Sequence, residues 1–357
     1  TGGTANSNQF ANPDLKPVSI KEYEVGLNLA FMSNRLSFDM AYYNKNTTDD
    51  IAVVTTSSAS GFGSKYMNVG EIRNQGFEFM VNATPVHTKN FSWETTFNFA
   101  YNDSEVKYLG GVKSLSIDGA SARSGNVTVR NIVGQPYGML VGYKYARDEQ
   151  GRVIHKNGIP QATDELQNLG NGVYKYTGGW SNTLRFRDFS LSFLIDYKAG
   201  ASLFSGTNYS LYSEGLHKGT LLGRTVDNPG GSGFIGAGVM IDDNGKILGE
   251  NNVAVNAQDY HKGIVNNNIA EEFVYNASFI KLRELSLGYT FPQSVLNKMK
   301  VVKGLSVSLV GRNLWTILKH TDNIDPESAY NNTNGQGLEL NGYPATRNVG
   351  FNVNVKF

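Results

Sequence analysis

Apolar residues fall at every second position along the last ten residues of the chain. Val349, Phe351, Val353, Val355 and Phe357 alternate with Asn348, Gly350, Asn352, Asn354 and Lys356. A period of two marks a β-strand with one face on an apolar medium and the other on a polar one. The pattern recurs upstream. Tyr23, Val25, Leu27, Leu29 and Phe31 alternate with Glu24, Gly26 and Asn28, and after Met32-Ser33-Asn34 the residues Leu36, Phe38, Met40 and Tyr42 do the same. Phe77–Val81, Trp93–Tyr101, Met139–Arg147, Thr183–Arg187, Leu191–Tyr197, Phe279–Phe291 and Leu305–Leu314 follow, which makes ten candidate strands. Most are near the ~9–11 residues with which a tilted strand crosses a bilayer.

The connections alternate in length. Short ones span 32–34, 84–90, 187–189 and 292–304, and long ones span about 47–67, 103–138, 198–277 and 316–344. Outer-membrane barrels place short turns on the periplasmic side and long loops outside. Counting crossings back from the C terminus and forward from Tyr23 disagrees by one. Either Asn126–Val133 or Val173–Tyr176 hides an eleventh strand, or one of the ten lies outside the membrane; eleven is the expectation. The longest loop, Ala199–Asn276, is rich in Gly and Asn and reads as structureless, which a compact soluble domain rarely tolerates. One short helix is predicted, Ser294–Lys300, following Pro292 with Ser294 as its N-cap.

Composition narrows the class. Lys+Arg 32 against Asp+Glu 31 excludes a basic nucleic-acid surface. Glycine supplies 40 of 357 residues, above the ~7% of ordinary chains, and Tyr 19, Phe 19 and Trp 3 accompany only 18% charged residues. That mixture fits many turns and aromatic strands. Cys 0 removes disulfides, thiolate zinc sites and thiol catalysis. A mean hydropathy of -0.32, with no apolar run near ~18 residues, excludes a transmembrane helix. It does not exclude a membrane barrel, whose alternating strands average out. The polar opening Thr1–Gln9 has neither an initiator Met nor a signal peptide, so the chain is expected to be a piece that starts within a loop.

Candidate chemistry is sparse. Gly231-Ser232-Gly233-Phe234-Ile235-Gly236 matches G-x-G-x-x-G, but Asp227-Asn228-Pro229-Gly230 before it is a turn where a dinucleotide site needs a strand. Asp242-Asp243-Asn244-Gly245 lacks calcium-loop spacing and reads as a tight turn. His87, His155, His217, His261 and His320 are scattered and read as solvated loop residues. Glu271-Glu272, on a strand edge, would point to opposite faces and make a poor acid/base pair. Hydrolase and NTPase motifs are missing, so neither an enzyme, a metal site nor a cofactor is expected. The aromatics are either a sandwich core or a lipid-facing girdle, and Tyr42-Tyr43, Tyr101, Tyr289 and Trp315 near strand termini suit the girdle.

Several segments together resemble one family. Asn12-Pro13-Asp14-Leu15-Lys16-Pro17 with Tyr23-Glu24-Val25-Gly26-Leu27, then Asn34-Arg35-Leu36, Tyr42–Thr47, Asn68-Val69-Gly70 and Asn74–Glu78, are similar to the SusC/RagA family of TonB-dependent outer-membrane transporters. Leu282–Tyr289, Gly311-Arg312-Asn313-Leu314, Asp325-Pro326-Glu327 and the terminal Phe357 resemble that family's closing strands. The resemblance implies an all-β fold: the C-terminal ten or eleven antiparallel strands of a 22-stranded transmembrane barrel, with the plug and earlier strands upstream of Thr1 and residues 1–357 forming one partial domain. It implies a Bacteroidota outer-membrane importer of oligosaccharides or peptides. Its implied partners are a SusD-like surface lipoprotein, TonB–ExbB–ExbD acting through the upstream part, and outer-membrane lipid.

On that reading Glu24, Asn28, Glu78, Asn82 and Asn98 face the lumen. Tyr209, Tyr212, Tyr260, Asn266, Asn267 and Asn268 in the long loops are candidates to stack on and hydrogen-bond a substrate; the alternative is that they pack the loops against each other. Val353, Val355 and Phe357 resemble a C-terminal signal for barrel assembly. The competing class is a soluble or surface-attached β-rich adhesin or lectin-like domain.

Overall fold

Alternation along the chain becomes a wall with two chemically different faces. The structure, a computed structural model, describes residues 9–10, 12–55, 59, 61–122, 127–224, 233–299, 301–329 and 335–357. Nine strands form one antiparallel sheet in chain order: β1 (Ser19–Phe31), β2 (Leu36–Thr55), β3 (Ser64–His87), β4 (Phe91–Leu109), β5 (Tyr176–Phe186), β6 (Phe189–Ala199), β7 (Phe279–Thr290), β8 (Gly304–Lys319) and β9 (Asn348–Lys356). The short strand Gln9–Phe10 joins it in parallel beside Ser64 and Lys65.

Registers fix the faces. Val25 pairs with Tyr42, Tyr42 with Phe77 and Phe77 with Tyr101, a row of apolar groups on one side. Glu78 pairs with Ala41, Asn28 with Asp39, and Asn98 with Met80 and Gly179, on the other side. The apolar row continues through Leu191, Leu287, Leu309 and Phe351. Tyr42, Tyr101 and Tyr289 face outward as expected, and rings of Phe189, Tyr289 and Phe291 cluster at the turn end of the sheet. Tyr43 does not join the girdle: it lies inward and donates to Asn102 Oδ1 at 2.9 Å.

The side conflict resolves by removing a strand. Met139–Gly142 leaves the wall and sits in a separate four-stranded sheet with Ser114–Ser121, Thr128–Ile132 and Gln167–Asn171. Neither stretch proposed to hide an eleventh strand supplies one: Asn126–Val133 contributes Thr128–Ile132 to that separate sheet, and of Val173–Tyr176 only Tyr176 belongs to the wall. Met139, Leu140 and Val141 are consecutive apolar residues buried on both faces, the habit of a core strand and not of a membrane strand. With nine long strands, every short turn (32–35, 88–90, 187–188, 291–303) falls at one end and every long connection at the other. The strands β2, β3 and β4, of 20, 24 and 19 residues, run well past the ~9–11 needed for a crossing, so the expected loop at 47–67 shrinks to 56–63.

The long connections are not structureless. Those at 110–175, 200–278 and 320–347 pack together into one insert with α1 (Gly206–Ser213) and α2 (Ala257–Asn266). Each helix starts at a polar cap: Ser205 Oγ accepts from Asn208 N at 3.0 Å, and Asn256 Oδ1 from Gln258 N at 2.8 Å. Val129 and Leu140 from the first connection, Phe204, Ile264 and Phe273 from the second, and Leu338 from the third share one core. The expected helix at Ser294–Lys300 is a single turn, α3 (Gln293–Leu296), with Pro292 at its N-cap; Lys300 lies outside the described residues. Asp242–Gly245 is the tight turn read from the sequence, joining Val239–Ile241 to Ile247–Glu250. Gly231 and Ser232 of the glycine-rich run lie outside the described residues.

Candidate functional site

The inward face at the insert end of β6, β7 and β8 carries the largest network of linked salt bridges among the described residues. Lys198 and Asp196 stand on β6, and Lys281 and Arg283 on β7. A bulge at Arg283 shifts the register, so that Leu282 faces Ile195 and Glu284 faces Leu194 with Arg283 as the extra residue. Arg283 then reaches sideways, its Nε donating to Asp196 Oδ2 at 2.6 Å.

A segment of the third connection lies down on this patch. Lys281 Nζ donates to Asp325 Oδ1 at 2.6 Å and to Glu327 Oε2 at 2.8 Å. Arg283 donates to the same Glu327 oxygen, and Lys198 Nζ approaches Glu327 Oε1 at 3.2 Å. Tyr174 donates its hydroxyl to Pro326 O at 3.1 Å, and the turn is braced internally by Thr321 Oγ1 to Ile324 O (2.9 Å) and Ser328 Oγ to Asp325 O (2.6 Å). Lys281 is only 5% exposed, so its charge is tolerable only with both carboxylates present. Burial by itself would raise the Glu327 carboxyl, but the hydrogen bonds and charges of Lys281 and Arg283 outweigh it and hold it down at about 2. Between this segment, the upper part of β8 and residues 343–347 lies a cavity of about 860 Å³, bordered by Lys281, Arg283, Asn313, Lys319, Tyr343 and Arg347.

The loop residues singled out in the sequence all lie in the insert, Tyr212 buried, Asn266 exposed and the other four half-buried. Tyr212 is buried, its ring packed on Phe273, His217 and His261, and its hydroxyl donates to Glu272 Oε1 at 3.0 Å. Tyr209 packs tilted against Phe204 and edge-on to Phe273 and donates to Val265 O at 3.1 Å. Tyr260 is half-buried against Phe234, His155 and His261. At the end of α2, Asn266 is exposed, Asn267 Nδ2 donates to Pro160 O at 2.7 Å, and Asn268 takes a left-handed φ of 55°. Val353 and Val355 lie outward on β9 beside Val307 and Leu305, with Phe357 just beyond the strand.

Two expectations need correction. His155, His217 and His261 are buried, not solvated, and burial holds all three imidazoles below their ordinary range. His217 Nδ1 accepts from Gly219 N at 2.9 Å, which leaves the imidazole proton on Nε2. Glu271 and Glu272 sit on the 3₁₀ turn Ala270–Phe273, not on a strand edge. Glu272 takes the Tyr145 and Tyr212 hydroxyls, while Glu271 pairs with Arg147 at 2.8 Å. No group of three His, Asp or Glu among the described residues is arranged to hold a metal ion. The sequence does not reveal the charged patch, although Leu282-Arg283-Glu284 and Asp325-Pro326-Glu327 both belong to the segments that resemble the family. They are far apart along the chain, and neither shows that it meets the other.

Comparison with known proteins agrees with this architecture. The family model described as "TonB dependent receptor-like, beta-barrel" matches residues 1–314. TonB-dependent receptor P3 of Formosa agariphila is 25% identical over 383 residues, covering 98% of this chain and 35% of the relative. TonB-dependent receptor SusC of Bacteroides thetaiotaomicron is 23% identical over 363 residues, covering 97% of this chain and 32% of the relative. The chain therefore spans about a third of the length of the curated relatives it matches. Among solved structures, the RagAB peptide transporter superposes with a TM-score of 0.69 at 22% identity, covering 97% of this chain and 36% of that one.

Proposed function

Because the chain belongs to the TonB-dependent receptor β-barrel family of the outer membrane, we propose that it builds wall and extracellular mouth of a TonB-driven importer. The observation that carries this reading is the wall itself. Its apolar face is bare, with Val25 73%, Leu309 56% and Phe351 80% exposed, and its inward face is charged and amide-rich. A water-soluble adhesin would bury the first face; a bilayer covers it. All long connections leave from one end, where outer-membrane barrels carry their outside loops.

The imported nutrient in this reading is an oligosaccharide, with a peptide as the other class; the similar solved complex is a peptide transporter, while SusC is named only as a receptor. Substrate contact falls on the reachable end of the expected set, Asn266 with Asn267 and Asn268, which Tyr209, Tyr212 and Tyr260 support from beneath. A surface lipoprotein docks on the insert, where Leu216, Leu221 and Leu222 stand exposed. Val353, Val355 and Phe357 serve barrel assembly.

Uptake of labelled oligosaccharides and labelled peptides by cells carrying the full receptor tests the reading. One class should enter only when TonB is functional, and a lipoprotein should copurify unless Leu216, Leu221 and Leu222 are all changed to Glu. Equal uptake of both classes with and without TonB would overturn it.

A further inference from the structure

The segment that lies on the wall is anchored at both ends to different parts of the molecule. At Thr321–Ser328 it is bound by charge to β6 and β7. Eleven residues beyond Ser328, Glu339 is buried in the insert and accepts from Ser205 Oγ (2.9 Å), Thr207 N (3.0 Å), Thr207 Oγ1 (2.7 Å) and Gly342 N (2.9 Å). Asn208 of α1 clasps it from the same side, donating to Asp322 O and accepting from Asn323 Nδ2, both at 3.1 Å. The insert end is thus fixed by a hydrogen-bonded carboxylate and a core residue, Leu338.

The wall end is held differently. Among the described residues, Asp325 and Glu327 are the only carboxylates of the 320–347 connection in a salt bridge with the wall. With the segment down, Lys198, Lys281 and Arg283 face Asp196, Asp325 and Glu327, and charge balances. With it lifted, three cations share Asp196 alone, and Lys281 regains water. Both arrangements satisfy every charge, one by pairing and one by hydration, so opening the contact breaks no ion pair without replacement and gives up the small packing of Ile324 on Ala201, Leu203 and Ala277 and the Lys319 Nζ bond to Ile324 O.

We propose that Thr321–Ser328 is an ionic latch: Asp325 and Glu327, seated on Lys281 and Arg283, hold the insert over the mouth of the barrel, and their release lets the insert move as one piece. Calling that end the mouth rests on the importer reading; the latch itself does not depend on transport.

Hydrogen exchange on the full receptor in outer-membrane vesicles tests it. The D325N/E327Q variant should exchange at least tenfold faster over 321–338 and at the start of α1, with β1–β4 unchanged. Unchanged exchange over 321–338 would overturn the proposal, and so would equal acceleration in β1–β4, which would make the contact a general brace of the fold. A second arm uses the absence of cysteine from residues 1–357, in a full receptor whose cysteines elsewhere are all changed to Ser. K198C/E327C, bridged by a short cleavable bismaleimide, should lose import at least tenfold and regain it on cleavage. Import by bridged receptor at the unbridged rate would show that the latch need not open. Failure of the unbridged receptor to import anything would count against the importer reading, while the exchange arm would still decide the latch.

Discussion

Phe273 and Phe351 are the same residue in one chain, yet Phe273 is fully buried and Phe351 is 80% exposed. Phe273 belongs to the insert, where aromatic rings gather inside as in any water-soluble domain. Phe351 belongs to the wall, where they gather outside. The insert is stabilised by withdrawing apolar surface from water through the chain's own packing. The wall has almost no interior of its own and depends on ladder hydrogen bonds and on lipid to cover its outer face. Side-chain chemistry alone therefore does not say which residues are core; the neighbouring residues' spacing does.

The largest expected effect tests whether the two regions are independent. Phe273→Ala should cost the insert about 3–5 kcal/mol, opening it to protease while the wall stays folded. Simultaneous loss of both regions would make them one cooperative unit. Next, a charge on each face of β7 separates the wall's two environments. Leu285→Arg, outward beside Phe193 and Gly311, should cost about 2–4 kcal/mol in refolding into bilayers, and Ser286→Arg, inward, within about 0.5 kcal/mol of nothing.

Acid probes the joint between the regions. The Glu327 carboxyl is held at about 2, below its unfolded range, so its contribution is complete above about pH 4.5 and disappears as the pH falls towards 2. Calorimetry across that window should show the insert losing about 2 kcal/mol, and E327Q should flatten the dependence. The smallest effect is local: Asn256→Ala removes the cap of α2 and should cost about 1 kcal/mol, seen as faster exchange in that helix alone.

The wall was legible because its rule is local. Tyr23–Leu29 and any five residues of Val349–Phe357 already display the period of two. The rule misread Met139–Arg147 because Met139-Leu140-Val141 is apolar without alternation, and a strand buried on both faces does not declare which sheet it joins. The insert was illegible for a different reason. Val129, Leu140, Phe204, Phe273 and Leu338 come from three connections, and no window of sequence contains their meeting. Among the described residues, Gly and Asn in Ala199–Asn276, read as signs of looseness, include caps and turns such as Asn256 and Asp242–Gly245. The contact of Lys281 with Glu327 shares that fate, since each half was visible and only the fold joins them.

The wall strands follow chain order without a single crossover, and that has a consequence for how such molecules diversify. The connection at 110–175 leaves β4 and returns on its immediate neighbour, with Tyr101 beside Tyr176; the one at 200–278 leaves β6 and returns with Lys198 beside Phe279. The second excursion begins and ends at adjacent points, the first returns eight residues short of where β4 ends at Leu109, and doubling the length of either costs only about 0.6 kcal/mol in closure entropy. Nothing in the register of the staves records what was inserted between them. Such a frame can exchange its whole head for another while the pairing of its strands stays the same.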